Sequence, residues 1–463
     1  MVDIELELPD AERLAALSDA TPADLPGVAL LEHVRDHPRV DDVPAATREA
    51  LDAIPALDAL PAGAEVGITA GSRGIHDMPT VLRTMVDALR ERELEPFVFP
   101  AMGSHGGATA EGQRETLAAL GVTAETMGCE IRSSMAAERV ADDEEGRPIY
   151  AAEDALAADA VLLANRVKAH TDFRGRYESG LVKMAVIGLG KQRGAEATHN
   201  AGLVGGLDEV IPERAAALFE ATPVIGGVAV VENADDRAAH VEGVPVDEIF
   251  DREPALLERS KELLPTLPVS ELDLLVVDEL GKEISGTGMD TNVLGRVLYH
   301  NQPEPDVPSF TRIYVRGVTE ASHGNGIGIG LADVVHADLV ADLDLTETYV
   351  NVVTSGEPSR ARIPLIAERD EVALRVAAST TGVRDPADLR IVRIPNTLEL
   401  GRFVASEPVV EELADRDDVR VLERRPFELV DGELPTDPYE TAAEAARASE
   451  SESESESETA TDD

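Results

Sequence analysis

The chain has 463 residues, with 41 Lys+Arg against 90 Asp+Glu, a formal net charge of -49, and 43% hydrophobic residues. So acidic a surface excludes a protein that neutralises nucleic-acid phosphates or lies on an anionic membrane, while the apolar content is that of a folded chain. The single Cys129 excludes an intrachain disulfide, and no apolar run reaches the roughly 20 residues of a membrane-spanning helix, so a cytoplasmic protein of a salt-rich, halophilic cell is expected.

In chain order, short apolar runs alternate with amphipathic segments from residue 64 on. Residues 65–70 read as a strand, 78–93 as a helix, 96–101 as a strand and 109–120 as a helix capped by Thr109, which is the pattern of βαβ units. Apolar runs at 160–164, 224–231, 272–277 and 312–316 extend a parallel arrangement covered by helices. The expected fold class is α/β, as two domains with largely parallel sheets and flanking helices. A helix-like segment at 253–264 ends in Pro265-Thr-Leu-Pro268, dividing the chain into an N-terminal domain, 1–268, and a C-terminal domain, 269–440, with the active site expected in the cleft between them. Residues 441–463 run into Ser-Glu repeats that cannot bury apolar surface, so a disordered acidic tail is expected there.

Three of the predicted strands end in polar turns, at 71–75, 103–107 and 165–170, which carry Arg73, His105 and His170. Ligands of open parallel sheets bind beyond the carboxyl ends of the strands, so the turns are expected to meet at one crevice. Their glycines permit close backbone approach, and the helix N-termini that follow offer N–H groups to an anion. Two imidazoles suit acid–base work near neutral pH, one taking a proton and the other returning it on the opposite face, as racemisation and epimerisation require. Arg73 would grip a substrate carboxylate with two hydrogen bonds. On these residues alone two further readings stay open. One is metal ligation by His105, His170 and His199 in a zinc-type hydrolase, and the other is an anion-binding protein without turnover. Of five lysines in the chain, Lys168, Lys183 and Lys191 fall between 165 and 199. Where arginine otherwise supplies positive charge, a lysine offers an amine that can lose its proton and become a nucleophile.

Taken together, Arg73, His105, His170, Lys183 and His199 resemble the site pattern of the nickel-pincer lactate racemase family. The resemblance implies that Lys183 is joined covalently to pyridinium-3,5-bisthiocarboxylic acid mononucleotide and that Ser72, Gly103 and Gly106 help to bind this cofactor. His199 would be the protein ligand to its nickel, completing a square-planar set with one carbon and two sulfurs of the cofactor. His105 and His170 would form the proton-transferring pair, and Arg73 and Lys282 would bind substrate. The implied activity is that of an isomerase, a racemase or epimerase of a 2-hydroxy acid working by proton-coupled hydride transfer through a 2-keto intermediate. The implied partners are that substrate and, transiently, proteins that build the cofactor and insert nickel.

A second stretch, 278–296, contains Lys282 and resembles the corresponding segment of an uncharacterised clade of the family more than that of the lactate racemases. The lactate racemase turn with Asp, Thr and Arg is here Ala70-Gly-Ser-Arg73, His170 and Lys183 are further apart, and the chain has no Trp. Lactate itself is therefore not expected; a more polar 2-hydroxy acid, such as a sugar acid, is. The glycines of 322–330 lack the strand-turn-helix placement and acidic partner of a dinucleotide fingerprint.

Overall fold

The computed structural model describes residues 8–18, 20–35, 37–72, 74–300 and 302–444. Arg73 and the Ser-Glu repeats lie outside the described residues. Strands follow in the order β1 (Val28–His33), β2 (Glu65–Ala70), β3 (Glu95–Pro100), β4 (Ala137–Asp142), β5 (Pro148–Ala152), β6 (Ala160–Arg166), β7 (Val224–Glu232) and β8 (Ala238–Pro245). Beyond them come β9 (Glu271–Leu280), β10 (Ser309–Val318), β11 (Val334–His336), β12 (Leu365–Ala367), β13 (Ile391–Ile394), β14 (Arg402–Ser406) and β15 (Val419–Arg425). The class is α/β with largely parallel sheets flanked by helices, as expected from the alternation of strand and helix patterns.

One compact unit ends at Leu264 and contains the strand order β3-β2-β6-β7-β8. Its first four strands are parallel, and β8 returns antiparallel to β7. On one face Val66 and Ile68 pack against the helices Val43–Asp52 and Met78–Glu91. The latter buries Met78, Val81, Leu82, Met85, Val86 and Leu89, the spacing of a single helical stripe. Each of the large ones contributes about 1.5–3 kcal/mol on burial. On the other face Phe97, Phe99, Val161 and Leu163 meet the helices Leu207–Ala221 and Ile249–Glu262. The hairpin β4–β5 stands apart as a two-stranded sheet. Thr109 caps the helix Ala110–Ala119, its hydroxyl accepting from the Gly112 N–H at 3.0 Å.

The other unit joins the residues up to Arg35 with those from Pro265 on. Its eight strands run β12-β11-β10-β9-β13-β14-β1-β15, parallel from β12 to β13 and antiparallel beyond. Strand β1, with Ala29, Leu30 and Leu31 fully buried, thus belongs here and not to a continuous domain from 1 to 268. Local patterning marks β1 as apolar but carries no information on its partners, which lie 370 or more residues away. Residues 441–444, expected in the tail, are bonded. Thr441 donates its N–H to Glu444 at 2.8 Å, and Arg402 reaches the same carboxylate at 3.2 Å. Among the described residues no helix is long and apolar enough to cross a membrane.

Candidate functional site

Strands β3, β2 and β6 are neighbours and parallel, so their carboxyl ends carry the three polar turns to one edge of the sheet. The turns rest on a stretch of helix. A Cβ on Gly71 would sit 3.3 Å from Met184, and one on Gly103 would sit 3.1 Å from Ala195 and 3.2 Å from the Ile187 carbonyl. Gly106, at φ +66°, leaves 2.5 Å for a Cβ against the Gln113 nitrogen. Gly103, at φ +59°, and Gly106 are thus favoured as glycines by backbone conformation and by close packing against neighbouring helices.

The helix beneath is not uniform. Leu181–Lys183 is an α-turn that widens into a π-turn over Met184–Gly188, after which Lys191–Gly205 resumes as α-helix. Such π-turns concentrate at functional sites because they re-aim side chains. Lys183 stands at the junction.

Two side-chain pairs tie the turns together. Ser72 Oγ is hydrogen-bonded to His105 Nδ1, joining the first turn to the second, and the His105 side is open to solvent. Lys183 Nζ is hydrogen-bonded to His170 Nε2, joining the third turn to the helix. The Asp172 N–H donates to His170 Nδ1 at 3.0 Å, which fixes the ring with Nε2 toward Lys183. The His170 ring also lies on Phe173, with centroids 4.7 Å apart. His199 projects from the helix Lys191–Gly205 with much of its surface exposed. Crowding by the surrounding protein pushes its pKa below the ordinary imidazole value, the Lys183 charge pushes the same way, and Asp172 opposes both. His105 is thus paired with Ser72 and His170 with Lys183 beyond the strand ends, and His199 lies close enough to feel the Lys183 and Asp172 charges. Arg73, in the first turn, lies outside the described residues.

Lys282 belongs to the other unit, in the loop that follows β9. Its Nζ donates to the Gly286 carbonyl at 2.7 Å and to Asn351 at 3.2 Å, and its N–H donates to Ser322 at 2.7 Å.

Sequence reasoning missed the buried groups that hold these turns. Glu178, 1% exposed, accepts the His170 N–H at 2.7 Å, and Lys261 balances its charge at 3.2 Å. Glu232 accepts the His76 N–H beside the first turn at 3.1 Å and is paired with Arg166, while Arg237 binds the His76 ring. Gln113 donates to the carbonyls of Gly103, at 2.9 Å, and His105, at 3.3 Å. Glu253 accepts the Leu181 and Val182 N–H groups at 2.6 and 3.0 Å and so caps the turn that carries Lys183. Such buried hydrogen bonds to the backbone of the turns are what a preorganised site needs. Glu178 sits inside the stretch singled out by its lysines and was readable there; Gln113 and Glu253 carry no local signal.

Among the described residues, the one group of three His, Cys, Asp or Glu ligand atoms within 4.8 Å of one another is His336, Asp370 and Glu433, in the other unit. The zinc set of His105, His170 and His199 is not assembled in that way. At His336, Nδ1 accepts from the Asp338 N–H at 3.2 Å, so Nε2 bears the hydrogen. The Asp370 oxygens already accept from Tyr314, Arg316 and the Leu434 N–H. Those residues read as an anchor for the segment around Leu434, not as a ligand set.

No protein-family profile matches the chain, and no curated protein matches its sequence. Among solved structures, one similar to this chain is that of the lactate racemase apoprotein from Thermoanaerobacterium thermosaccharolyticum, with 12% sequence identity, a TM-score of 0.48, and a match covering 79% of this chain and 94% of that one.

Proposed function

We propose that the protein is a racemase or epimerase of a polar 2-hydroxy acid that works with a nickel-pincer nucleotide tethered to Lys183. The observation that supports the reading is that β3 and β6, on either side of β2, lead at their carboxyl ends into the turns of His105 and His170, with His105 bonded to Ser72 and His170 to Lys183. The donor set fits the group. Lys183 offers an amine for the covalent link, His199 presents an accessible imidazole whose neutral form is the ligating one, and Ser72 lies in the first turn against His105. Bound there, the cofactor would accept and return the α-hydrogen of the substrate as hydride.

The chain's own residues would do the rest. One of His105 and His170 would take the hydroxyl proton while the α-hydrogen leaves, and the other would return a proton to the carbonyl oxygen of the transient 2-keto acid after re-entry from the opposite face. Arg73 would bind the carboxylate. Proteins that assemble the cofactor and insert the metal would be transient partners.

The test is nickel content together with peptide mass mapping across Lys183, on protein purified from its own host. Nickel near one per chain, with a nucleotide-sized mass on Lys183, is the expected result. An unmodified Lys183 with zinc or no metal would overturn the assignment.

A further inference from the structure

We propose that Lys191 is a positioning residue for His105, acting from beneath the second turn through Gln113 and the Pro100 carbonyl. This rests on the reading of His105 as a catalytic histidine. Lys191 has no exposed surface, an unusual fate for a lysine in so acidic a chain. Its Nζ donates to the Pro100 carbonyl, the last residue of β3, at 2.6 Å, and to Gln113 Oε1 at 3.4 Å. Gln113, equally buried, passes the connection on through Nε2 to the carbonyls of Gly103 and of His105 itself. An unbroken hydrogen-bonded path therefore runs from the lysine amine to the backbone of the catalytic imidazole.

The backbone at Lys191 supports a specific role. It opens the helix Lys191–Gly205 at φ +57°, in the left-handed region that residues other than glycine enter only when their surroundings impose it. A lysine that had only to reach solvent would gain nothing from that conformation, whereas this one directs its amine inward below β3. Burial also pushes the amine down to about 8. The same helix carries His199. Lys191 thus locks the turn bearing the proton-transferring His105 to the rod bearing the proposed metal ligand.

The test uses two variants of the full chain from its own host, Lys191→Met, which keeps the length of the side chain and removes the donor, and Gln113→Met, which leaves the amine in place and breaks the next link. Hydrogen–deuterium exchange of the peptide covering 101–109 should rise by about tenfold or more in both, while exchange in β2 and β6 stays within about twofold of wild type. Carbethoxylation of His105 by diethyl pyrocarbonate, read by peptide mass, should change by at least about threefold as the ring is released, with kcat falling and KM held. Unchanged exchange and reactivity at His105 in both variants, or exchange raised equally throughout the unit, would overturn the proposal. Should Lys191→Met fail to fold, Gln113→Met gives the same readouts. A His105→Asn variant that keeps full turnover would sink the catalytic reading while leaving the exchange result standing, so the two failures are distinguishable.

Discussion

His105→Asn and His170→Asn are each expected to lower turnover of the cofactor-loaded protein by about 10²- to 10⁴-fold, the range for loss of a positioned acid–base group. Nickel content and the mass on Lys183 should not change. Asparagine is polar and of similar reach but does not titrate near neutrality, so the substitution removes proton transfer and keeps packing. The loss should fall on kcat, because neither imidazole is assigned the carboxylate. His105 is the cleaner case, since its Nδ1 is taken by Ser72 and its side is open to solvent. Ser72→Ala leaves the imidazole in place and only loosens it, so a loss of about tenfold or less is expected there. The assay is chiral chromatography of the 2-hydroxy acid found by screening. If either histidine variant keeps more than about a tenth of wild-type turnover, that histidine leaves the proton path.

The part of this site that could be read from sequence is the part written in local patterns. Period-two and period-3.6 alternation marked β2, β3, β6 and the helix Met78–Glu91, and the polar turns between them put His105 and His170 at strand ends before any pairing was known. Thr109 declared its helix start in the same way. What could not be read depends on contacts remote in sequence. Strand β1 looks like any short apolar run, and only its pairing with β14 and β15 shows that it belongs to the unit that resumes at Pro265. The π-turn after Lys183 leaves no distinctive pattern in the local sequence. Gln113 and Glu253 look like solvent-facing polar residues of amphipathic helices, and their burial appears only once the helices dock. Lys191 occupies the middle ground. Its rarity drew attention to it, but the sequence could not say that its amine points inward.

The stability of the wild-type protein should fall relative to Glu253→Gln as the pH rises from about 4.5 to above 7, by about 3 kcal/mol in all. Glu253 is 1% exposed, one of its oxygens accepts the Leu181 and Val182 N–H groups, and the other has no hydrogen-bond partner. Burial therefore pushes its carboxyl up from an ordinary 4.5 to about 7, although the two N–H bonds pull it partly back. The folded chain thus holds this proton more tightly than the unfolded chain does. The contribution to stability is fully present below 4.5 and is lost as the pH climbs through the folded value near 7. Glutamine keeps a carbonyl to accept both N–H groups and carries no charge, so its own profile lacks this step. Taking the difference between the two proteins cancels the many exposed carboxylates of the chain, which titrate alike in both. Urea unfolding at fixed high salt across this pH range gives the measurement. A difference that stays constant from pH 5 to 8 would mean that Glu253 is ionised in the folded protein throughout, with its charge fully compensated at the start of the helix that presents Lys183.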